Sequence, residues 1–293
     1  MDQQQELLAQ QFEDQRSHLR AVAYRMLGSL GEAEDAVQDA WLRVSRADTS
    51  EVENLRAWLT TVVARVALNM LRTRNTRREQ ALDVRVPDPI IDPTDGTDPE
   101  HEALLADSVG LALLVVLETL TPAERLAFVL HDMFAVPFED IAPIVERSPD
   151  ATRQLASRAR RRVRGAAPAP DADLTAQWDV VEAFLAAARE GDFEGLVAVL
   201  DPEVVLRSDG GTSGLSRHVV GAENVARSAL FWSQVDLTMR RALVNGAAGM
   251  VIFRDGKPFS ICAITARGGR IMELDFLADP ERIAQLDLSV LPG

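Results

Sequence analysis

The chain is poor in cysteine and lysine and has no long apolar run, and each shortage excludes a class of protein. One cysteine among 293 residues excludes a disulfide framework and indicates a reducing cytoplasm. No apolar run approaches the roughly 20 residues that a membrane-spanning helix needs. The polar, acidic first residues lack the pattern of a signal peptide. Lysine occurs once, as Lys257, so arginine carries almost all of the positive charge.

One segment of this acidic chain is strongly basic. The formal net charge is −14, yet seven arginines and a single acid occur from Arg147 to Arg164. Ser148 suits a helix N-cap and Pro149 suits the first helical position, so a helix is predicted here. A short helix and a tight turn precede it. The pair predicts a helix-turn-helix, whose second helix enters the major groove of DNA. The alternative is a solvent-exposed, arginine-rich surface helix.

This predicted helix-turn-helix departs from the usual pattern in two places. Its turn carries Glu146 where glycine is commonest, and Pro143 within the first helix removes a backbone donor. An apolar stripe with a spacing of four residues marks the core-facing side of the second helix: Leu155, Ala159 and Val163.

Composition divides the chain into blocks, and the length favours two or three domains. Residues 8–80 and 104–165 are predicted to be helical domains. Residues 81–103 form an acidic, proline-rich linker, and eight acids stand against one arginine between positions 83 and 107. Residues 173–293 follow a second proline-bearing linker and change to helices followed by short strands. The predicted protein is therefore multidomain, with two all-α domains and a C-terminal α+β domain.

The first helical block presents two candidate surfaces. A polar stripe that ends in an exposed leucine is either a protein-docking face or a solvated face: Asp35, Gln38, Asp39 and Leu42. The next predicted helix runs near Leu55 to Arg78 and contains no acid from position 56 onward. Its arginines are placed to neutralise phosphates, and Asn69 to bond a base edge. Trp58 is predicted to belong to the core of this block.

The C-terminal block is predicted to be a helix-covered antiparallel sheet. Asn245-Gly246, Asp255-Gly256 and Gly268-Gly269 are strong hairpin signals. Helices packed on such a curved sheet make a cone with an internal pocket. Asp209 and Asp275 are candidate pocket carboxylates. No histidine–acid pair accompanies them, so catalysis, a cofactor and a metal are not predicted.

The segment Glu32 to Arg43 (EAEDAVQDAWLR), the basic helix after it and the segment Ser148 to Arg164 together resemble the extracytoplasmic-function sigma factors of bacteria. The resemblance covers about residues 8–165, with the motifs in the same order. It implies that the stripe from Asp35 to Leu42 docks on the clamp helices of the β′ subunit of core RNA polymerase. It also implies that the acidic linker threads toward the active-site channel of the polymerase.

The same resemblance assigns DNA contacts to the two basic helices. Residues implied in binding and opening the minus-ten promoter element are Arg65, Asn69, Arg72, Arg74, Arg77 and Arg78. Residues implied in binding the minus-thirty-five element are Ser148, Thr152, Arg153, Gln154, Ser157, Arg158, Arg160, Arg161 and Arg164. A lone helix-turn-helix needs no second DNA-binding surface, whereas a sigma factor needs both.

The C-terminal block resembles the SnoaL-like members of the nuclear-transport-factor-like superfamily, and a subset of these sigma factors carries such a fused domain. Three motifs of that subset have counterparts here: Pro87-Asp88-Pro89, Asp209-Gly210-Gly211 and Asp279-Pro280. The usual tryptophan and leucine before the first motif are Arg85 and Val86, and a glycine and a lysine of the second are replaced. The resemblance implies a regulatory domain that contacts the linker or the helical domains.

The sequence therefore predicts a cytoplasmic alternative sigma factor, modulated by its fused C-terminal domain, whose partners are core RNA polymerase and promoter DNA. A small-molecule ligand in the pocket stays open. Two other functions also stay open. One is a ligand-responsive helix-turn-helix regulator that binds its operator without polymerase. The other is an enzyme with a DNA-targeting module.

Overall fold

The computed structural model describes residues 3–49, 52–78, 85–94, 96, 110–166, 168–211 and 216–291. They form two compact units. The first, here called the helical unit, comprises residues 1–81, 102–107 and 116–166. The second, the sheet unit, comprises residues 82–101, 108–115 and 167–293. Both predicted helical blocks thus share one unit, and most of the predicted linker belongs with the C-terminal block.

The helical unit is built from helices that follow the predicted spans closely. Their bounds are α1 Gln3–Leu27, α2 Leu30–Val44, α3 Leu55–Arg78, α4 Leu111–Glu118, α5 Pro122–Phe128, α6 Phe138–Val145 and α7 Pro149–Ala166. The first residues of α4 are grouped with the sheet unit. A π-helical turn, Val129–Met133, continues α5 and was not predicted.

Helix starts in this unit are fixed by side-chain caps. The Ser29 hydroxyl accepts a hydrogen bond from the Glu32 amide and begins α2. Thr121 and Glu124 form a reciprocal capping box at α5, with Pro122 at the first helical position. From its cap at Ser29, α2 buries a small apolar face against α1 and α3: Ala33, Ala36, Val37, Ala40 and Val44.

The helix-turn-helix is formed by α6 and α7. Glu146 ends α6 in the left-handed conformation, with φ 57° and ψ 47°. Glycine adopts this region without the steric cost that a side chain carries. Pro143 lies within α6 and is exposed. Both departures from the usual pattern are therefore tolerated, the first with local strain.

The sheet unit contains a seven-stranded sheet of order β1-β4-β5-β6-β7-β2-β3. Its strands are β1 Ile91–Asp92, β2 Leu200–Asp209, β3 Arg217–Val220, β4 Thr238–Val244, β5 Ala247–Arg254, β6 Lys257–Arg267 and β7 Arg270–Leu277. Its helices are α8 Leu174–Glu190, α9 Phe193–Val199, α10 Ala222–Trp232 and α11 Pro280–Ile283. Register shifts in β2, β5 and β6 mark irregularities of the kind that bend a sheet.

The two faces of this sheet differ in what covers them. The inner face, toward α8, α9 and α10, carries the apolar core with Leu206, Met250, Ile264 and Leu274. Alternate residues point to the outer face, because side chains alternate along a strand.

The three predicted hairpins are confirmed. Both turn residues of each have positive φ: Asn245, Gly246, Asp255, Gly256, Gly268 and Gly269.

The predicted fold class is confirmed, but the prediction of a purely antiparallel sheet is wrong, because β2 pairs with β7 in parallel. Two strands were also missed. β3 is a short edge strand of four residues directly before α10. β1 is a two-residue strand within the linker. It pairs with β4 through Ile91 opposite Val244 and Asp92 opposite Leu243. Neither has the length or the alternation that marks a strand in a sequence.

Replacing Glu146 by glycine is expected to stabilise the helical unit, because glycine removes the strain of a left-handed side-chain-bearing residue. The expected gain in the free energy of unfolding is about 1 kcal/mol, measured by urea titration of the helical circular dichroism signal. The matched control is Glu139→Gly in the first turn of α6, which is exposed and helical. That change should cost up to about 1 kcal/mol. Equal destabilisation by both changes would contradict the assignment of strain.

Candidate nucleic-acid interface and linker site

Helix α7 exposes most of the predicted minus-thirty-five contacts. One exposed stripe along the helix consists of Gln154, Ser157, Arg161 and Arg164, at spacings of three and four residues. Ser148 is exposed, and its hydroxyl accepts a hydrogen bond from the Ala151 amide at 3.2 Å. These residues form a polar and basic surface at the start and along one side of α7.

Thr152 is not part of that surface. Its exposed fraction is 0 %, and its hydroxyl donates to the Ser148 carbonyl at 3.0 Å. Thr152 therefore faces the core with Ala156 and Ala159, which are also fully buried. Thr152 therefore contributes to helix packing, although its side chain is polar. A direct contact between Thr152 and a DNA base does not fit this arrangement.

Several α7 arginines are held by acids of the helical unit. Arg158 and Arg162 both pair with Glu124, at 3.2 and 3.0 Å. Burial alone would raise the pKa of Glu124, but hydrogen bonds from Thr121 and the charges of Arg162 and Arg158 lower it. Arg160 pairs with Asp132. This flank of α7 is thus neutralised internally.

Arg153 is also engaged locally, although it remains exposed. Its guanidinium pairs with Asp150 at 2.6 Å and lies 5.3 Å from the centre of the Phe138 ring. Among the predicted contacts, the stripe of Gln154, Ser157, Arg161 and Arg164 is therefore the part of α7 that is best placed to meet DNA.

Helix α3 brings three of the six predicted minus-ten contacts to one exposed face. Arg65, Asn69 and Arg72 are exposed and recur at spacings of four and three residues. The side chains of Arg77 and Arg78 lie outside the part of the chain that the structure describes. The three exposed residues keep the character expected of a phosphate- and base-contacting surface.

Arg74 is placed differently, inside the helical unit. Its side chain is 12 % exposed, donates to the Leu27 carbonyl and pairs with Glu32, both at 2.9 Å. It also pairs with Glu118 at 3.2 Å. Glu118 in turn pairs with the buried Arg125, which donates to the Met26 carbonyl. In this arrangement Arg74 links helices of the two predicted blocks and is not available to DNA.

The predicted docking stripe on α2 is accessible within the helical unit. Leu42 is 54 % exposed. Asp35 and Gln38 are exposed, and Asp39 pairs with Arg43 at 2.8 Å on the same surface. Single exposed leucines are common on protein surfaces, so this exposure leaves the stripe available for a protein contact without marking one.

The sheet unit binds the linker through one arginine. Arg282 of α11 pairs with Asp88 of the linker and with Asp209 at the end of β2. Its guanidinium also donates to the Val86 carbonyl at 2.6 Å. The Val86 amide in turn donates to the same Asp209 carboxylate at 3.0 Å. Asp88 and Asp209 are both buried, so the three charges offset one another away from water.

The linker continues to a second attachment at the β4–β5 hairpin. Ile90 donates to the Asn245 side chain at 3.1 Å and accepts from the Asn245 amide at 2.8 Å. Val86, Ile90 and Ile91 are almost fully buried. Pro87 and Pro89 are buried as well, and proline has no amide hydrogen that would need a partner there. The Pro-Asp-Pro pattern thus suits a buried, non-helical segment.

The three motifs of the predicted regulatory subset meet at this place. Asp279 caps α11 by accepting from the Glu281 amide at 3.0 Å, and Pro280 follows as its first residue. Gly211 lies against it with φ 52°, and a Cβ there would come 2.3 Å from an Asp279 carboxylate oxygen. Gly210 donates to Ser216. A side chain at position 211 would therefore disturb the arginine-bearing helix.

Arg282 and Asn245 were not predicted as functional residues. Arg282 lies 194 residues from Asp88 in the chain, and no local pattern connects the two. Asn245 was assigned only to a turn. In the sequence, Arg282 was marked only by its place two residues after the Asp279-Pro280 motif.

The candidate pocket carboxylates are not in the pocket. Asp209 and Asp275 both point to the outer face of the sheet, whereas Ser208 and Phe276 beside them line the inner cavity. Asp275 is 1 % exposed and pairs with Arg207 at 2.9 Å, and Arg207 also pairs with Glu273. Burial raises the pKa of Asp275 to about 6, while the Arg207 charge opposes this and the Glu273 charge adds to it. The hypothesis that these acids abstract a proton from a pocket ligand is therefore wrong.

Comparisons with known proteins show the family of this chain. Residues 12–77 match the sigma-70 region 2 family and residues 110–163 match the sigma-70 region 4 family. The ECF RNA polymerase sigma factor SigJ of Mycobacterium tuberculosis is 40 % identical, over 93 % of this chain and 92 % of its own length. The chain belongs to the ECF RNA polymerase sigma factors.

Two further comparisons cover nearly the whole of this sigma factor. A probable ECF RNA polymerase sigma factor, SigI of Mycobacterium tuberculosis, is 33 % identical over 92 % of this chain and 93 % of its own length. The crystal structure of Mycobacterium tuberculosis SigJ superposes with a TM-score of 0.77 at 36 % identity, covering 96 % of this chain and 99 % of that one. The predicted combination of two sigma domains with a C-terminal α+β domain is confirmed.

As an alternative sigma factor, the protein directs RNA polymerase to promoters for transcription initiation. The family is one of transcription regulators, and its members bind core polymerase and promoter DNA. Among the described residues, no helix is both long enough and apolar enough to cross a membrane.

Stability of the sheet unit is expected to depend on the protonation of Asp275. Its folded-state pKa of about 6 lies above the ordinary 3.8, so the folded state binds the proton more tightly. The stability this gives is present below about pH 4 and lost as pH rises through about 6, by about 3 kcal/mol in all. Asp275→Asn removes this titration. As pH rises from about 4 to 7.5, the free energy of unfolding of the variant should increase relative to that of wild type by up to that amount.

Native-state hydrogen exchange of the β6 and β7 amides measures this difference directly. The control is Asp236→Asn, which removes an exposed acid from the loop before β4. A stability difference between Asp275→Asn and wild type that is constant with pH would contradict the expected titration.

Proposed function

We propose that this sigma factor contacts polymerase and promoter through three separate surfaces of its helical unit. The α2 stripe of Asp35, Gln38, Asp39 and Leu42 binds the β′ clamp helices. The α3 face of Arg65, Asn69 and Arg72 binds the minus-ten element. The α7 stripe of Gln154, Ser157, Arg161 and Arg164 binds the minus-thirty-five element. Exposure of all three surfaces and their match in position to regions 2 and 4 support this.

The minus-ten domain then comprises residues 8–80 and the minus-thirty-five domain residues 104–165. The linker between them comprises residues 81–103, and the regulatory domain comprises residues 173–293. The sigma factor acts in the cytoplasm, where core polymerase and promoter DNA are found. The C-terminal domain has a regulatory and not a catalytic role. The outward placement of Asp209 and Asp275 supports this, because the acids that could abstract a proton are spent on ion pairs.

The regulatory domain acts by withholding the linker. The observation that carries this proposal is the burial of Val86 to Asp92 against the sheet unit, fixed by Arg282 at one end and Asn245 at the other. A linker that enters the polymerase channel must first leave this site. Exposing each buried Val or Ile side chain costs about 1.5–3 kcal/mol. Release also separates Asp88 from Arg282, which keeps its pair with Asp209.

Because that cost is large, the bound linker holds the free sigma factor in a low-activity state. Core polymerase, or another factor that competes for the linker, supplies the free energy of release. Arg282 thereby couples the folded regulatory domain to the ability of the sigma factor to bind core polymerase.

Arg282→Gln is expected to release the linker and raise promoter output several-fold, because both buried carboxylates lose their cation. The readouts are hydrogen exchange of residues 85–92 and in vitro transcription with core polymerase. The control is Arg267→Gln, an exposed arginine of the β6–β7 hairpin, which should change neither. Faster exchange of the linker without a rise in output would count against withholding, while leaving the sigma activity itself intact.

The α7 stripe is tested by comparing neighbouring arginines. Arg161→Ala should weaken promoter binding by the holoenzyme at every sequence and lower the slope of log affinity against log salt by about 1. Arg162→Ala is the matched control, since Arg162 pairs with Glu124 and lies off the stripe. Fluorescence anisotropy at a series of salt concentrations measures both. Equal losses for the two variants would contradict the stripe.

Gln154→Ala tests base recognition on the same stripe. An amide side chain that bonds a base edge is worth about 1–3 kcal/mol of discrimination. The variant should therefore relax the preference for one base of the minus-thirty-five element while leaving the salt dependence unchanged. Competition between single-base promoter variants measures this, and an unaltered preference at every position would exclude a base contact from Gln154.

A further inference from the structure

The sheet unit encloses a cavity of about 500 Å³ between the inner face of the sheet and helices α8 and α10. Its floor is apolar, with Phe184, Met250, Ile264 and Leu274. Trp178 of α8 and Trp232 of α10 line it as well. A cavity of this size and lining has the dimensions of a small-molecule site.

The charged residues around the cavity are mostly cations. Four arginines and one acid line it: Arg189, Arg217, Arg240, Arg241 and Glu182. The chain as a whole has a net charge of −14. An excess of cations around an apolar cavity in an acidic protein selects for ligands with negative charge.

Most of these cations already have a local role. Arg241 pairs with Glu182 and lies 5.2 Å from the centre of the Trp178 ring. Arg240 lies 4.7 Å from the centre of the Phe253 ring. Arg189 donates to the Leu185 carbonyl of its own helix. These contacts hold three of the guanidinium groups against the protein.

Arg217 differs from them. It lies on β3 directly opposite Ser208 of β2, and both side chains line the cavity. Within the described residues, neither the Arg217 guanidinium nor the Ser208 hydroxyl has a hydrogen-bonding or ionic side-chain partner. A cation and a hydroxyl donor therefore stand side by side at the edge of an apolar cavity.

We propose that this cavity binds an amphipathic organic anion. The apolar body occupies the space between α8, α10 and the sheet, and one acidic head group accepts hydrogen bonds from Arg217 and Ser208. Burial of the body provides most of the affinity, and the charge-assisted bond to Arg217 selects the head group. Binding is a property of the free chain and needs neither polymerase nor DNA, so its failure would leave the sigma function untouched.

Decanoate, decan-1-ol and anilinonaphthalene sulfonate are suitable probes. The fluorescent sulfonate should bind the full-length protein and be displaced by decanoate at a concentration at least about tenfold lower than by decanol. Equal potency of acid and alcohol would overturn the proposed ligand class. Absence of any binding up to millimolar concentrations would overturn the site.

Two variants locate the binding. Arg217→Gln should weaken decanoate binding about five- to tenfold and leave decanol unchanged. Arg270→Gln is the matched control, an exposed arginine at the start of β7 that does not line the cavity. Ala229→Phe on α10 narrows the cavity and should weaken both probes. Equal effects of the two arginine variants would assign the preference to general surface charge and overturn the head-group contact.

A measurement on the unaltered protein keeps the proposal falsifiable if Ala229→Phe fails to fold. Decanoate should slow hydrogen exchange in α8, α10 and β2, which enclose the cavity. Protection confined to the helical unit would place the ligand elsewhere and contradict the proposal.

Discussion

The guanidinium of Arg282, between the carboxylates of Asp88 and Asp209, is the interaction on which the arrangement of the sheet unit depends. A buried carboxylate without a cation is costly, and two adjacent ones would repel each other. With the arginine present, the linker carries its negative charge into a buried place without an unpaired ion. The cap at Asp279 and the close approach of Gly211 serve the same end, because they fix the helix from which Arg282 extends.

In the helical unit, ion pairs have a different effect. They engage some arginines with acids of the unit and leave others exposed on the surface. Glu118, largely buried, holds Arg74 of α3 and Arg125 of α5 inside the protein. Glu124, also largely buried, pairs with Arg158 and Arg162 of α7, whose side chains stay about half exposed. The arginines and polar residues that remain exposed form narrow stripes on α3 and α7. An excess of arginine in the sequence is therefore partly structural, and the surface that can meet a phosphate backbone is smaller than the count of arginines implies.

Local patterns predicted local structure well. The bounds of α3 were predicted from composition and periodicity, and the three hairpins from pairs of turn residues, because each feature is decided within a few residues. Pairing across long separations was out of reach. The role of Arg74 depends on Glu118, 44 residues away, and that of Arg282 on Asp88, 194 residues away. The linker strand β1 has only two residues and acquires its conformation from β4.

Strand β2 places the two functional faces of the sheet unit one residue apart. Ser208 points into the cavity, while Arg207 and Asp209 point to the face that holds Asp275 and the linker. Whatever shifts this strand toward one face alters its contacts on the other. The cavity and the attachment of the linker are therefore joined through one strand. A ligand whose binding shifts β2 would alter the attachment of the linker, and release of the linker would by reciprocity alter the affinity of the cavity for that ligand.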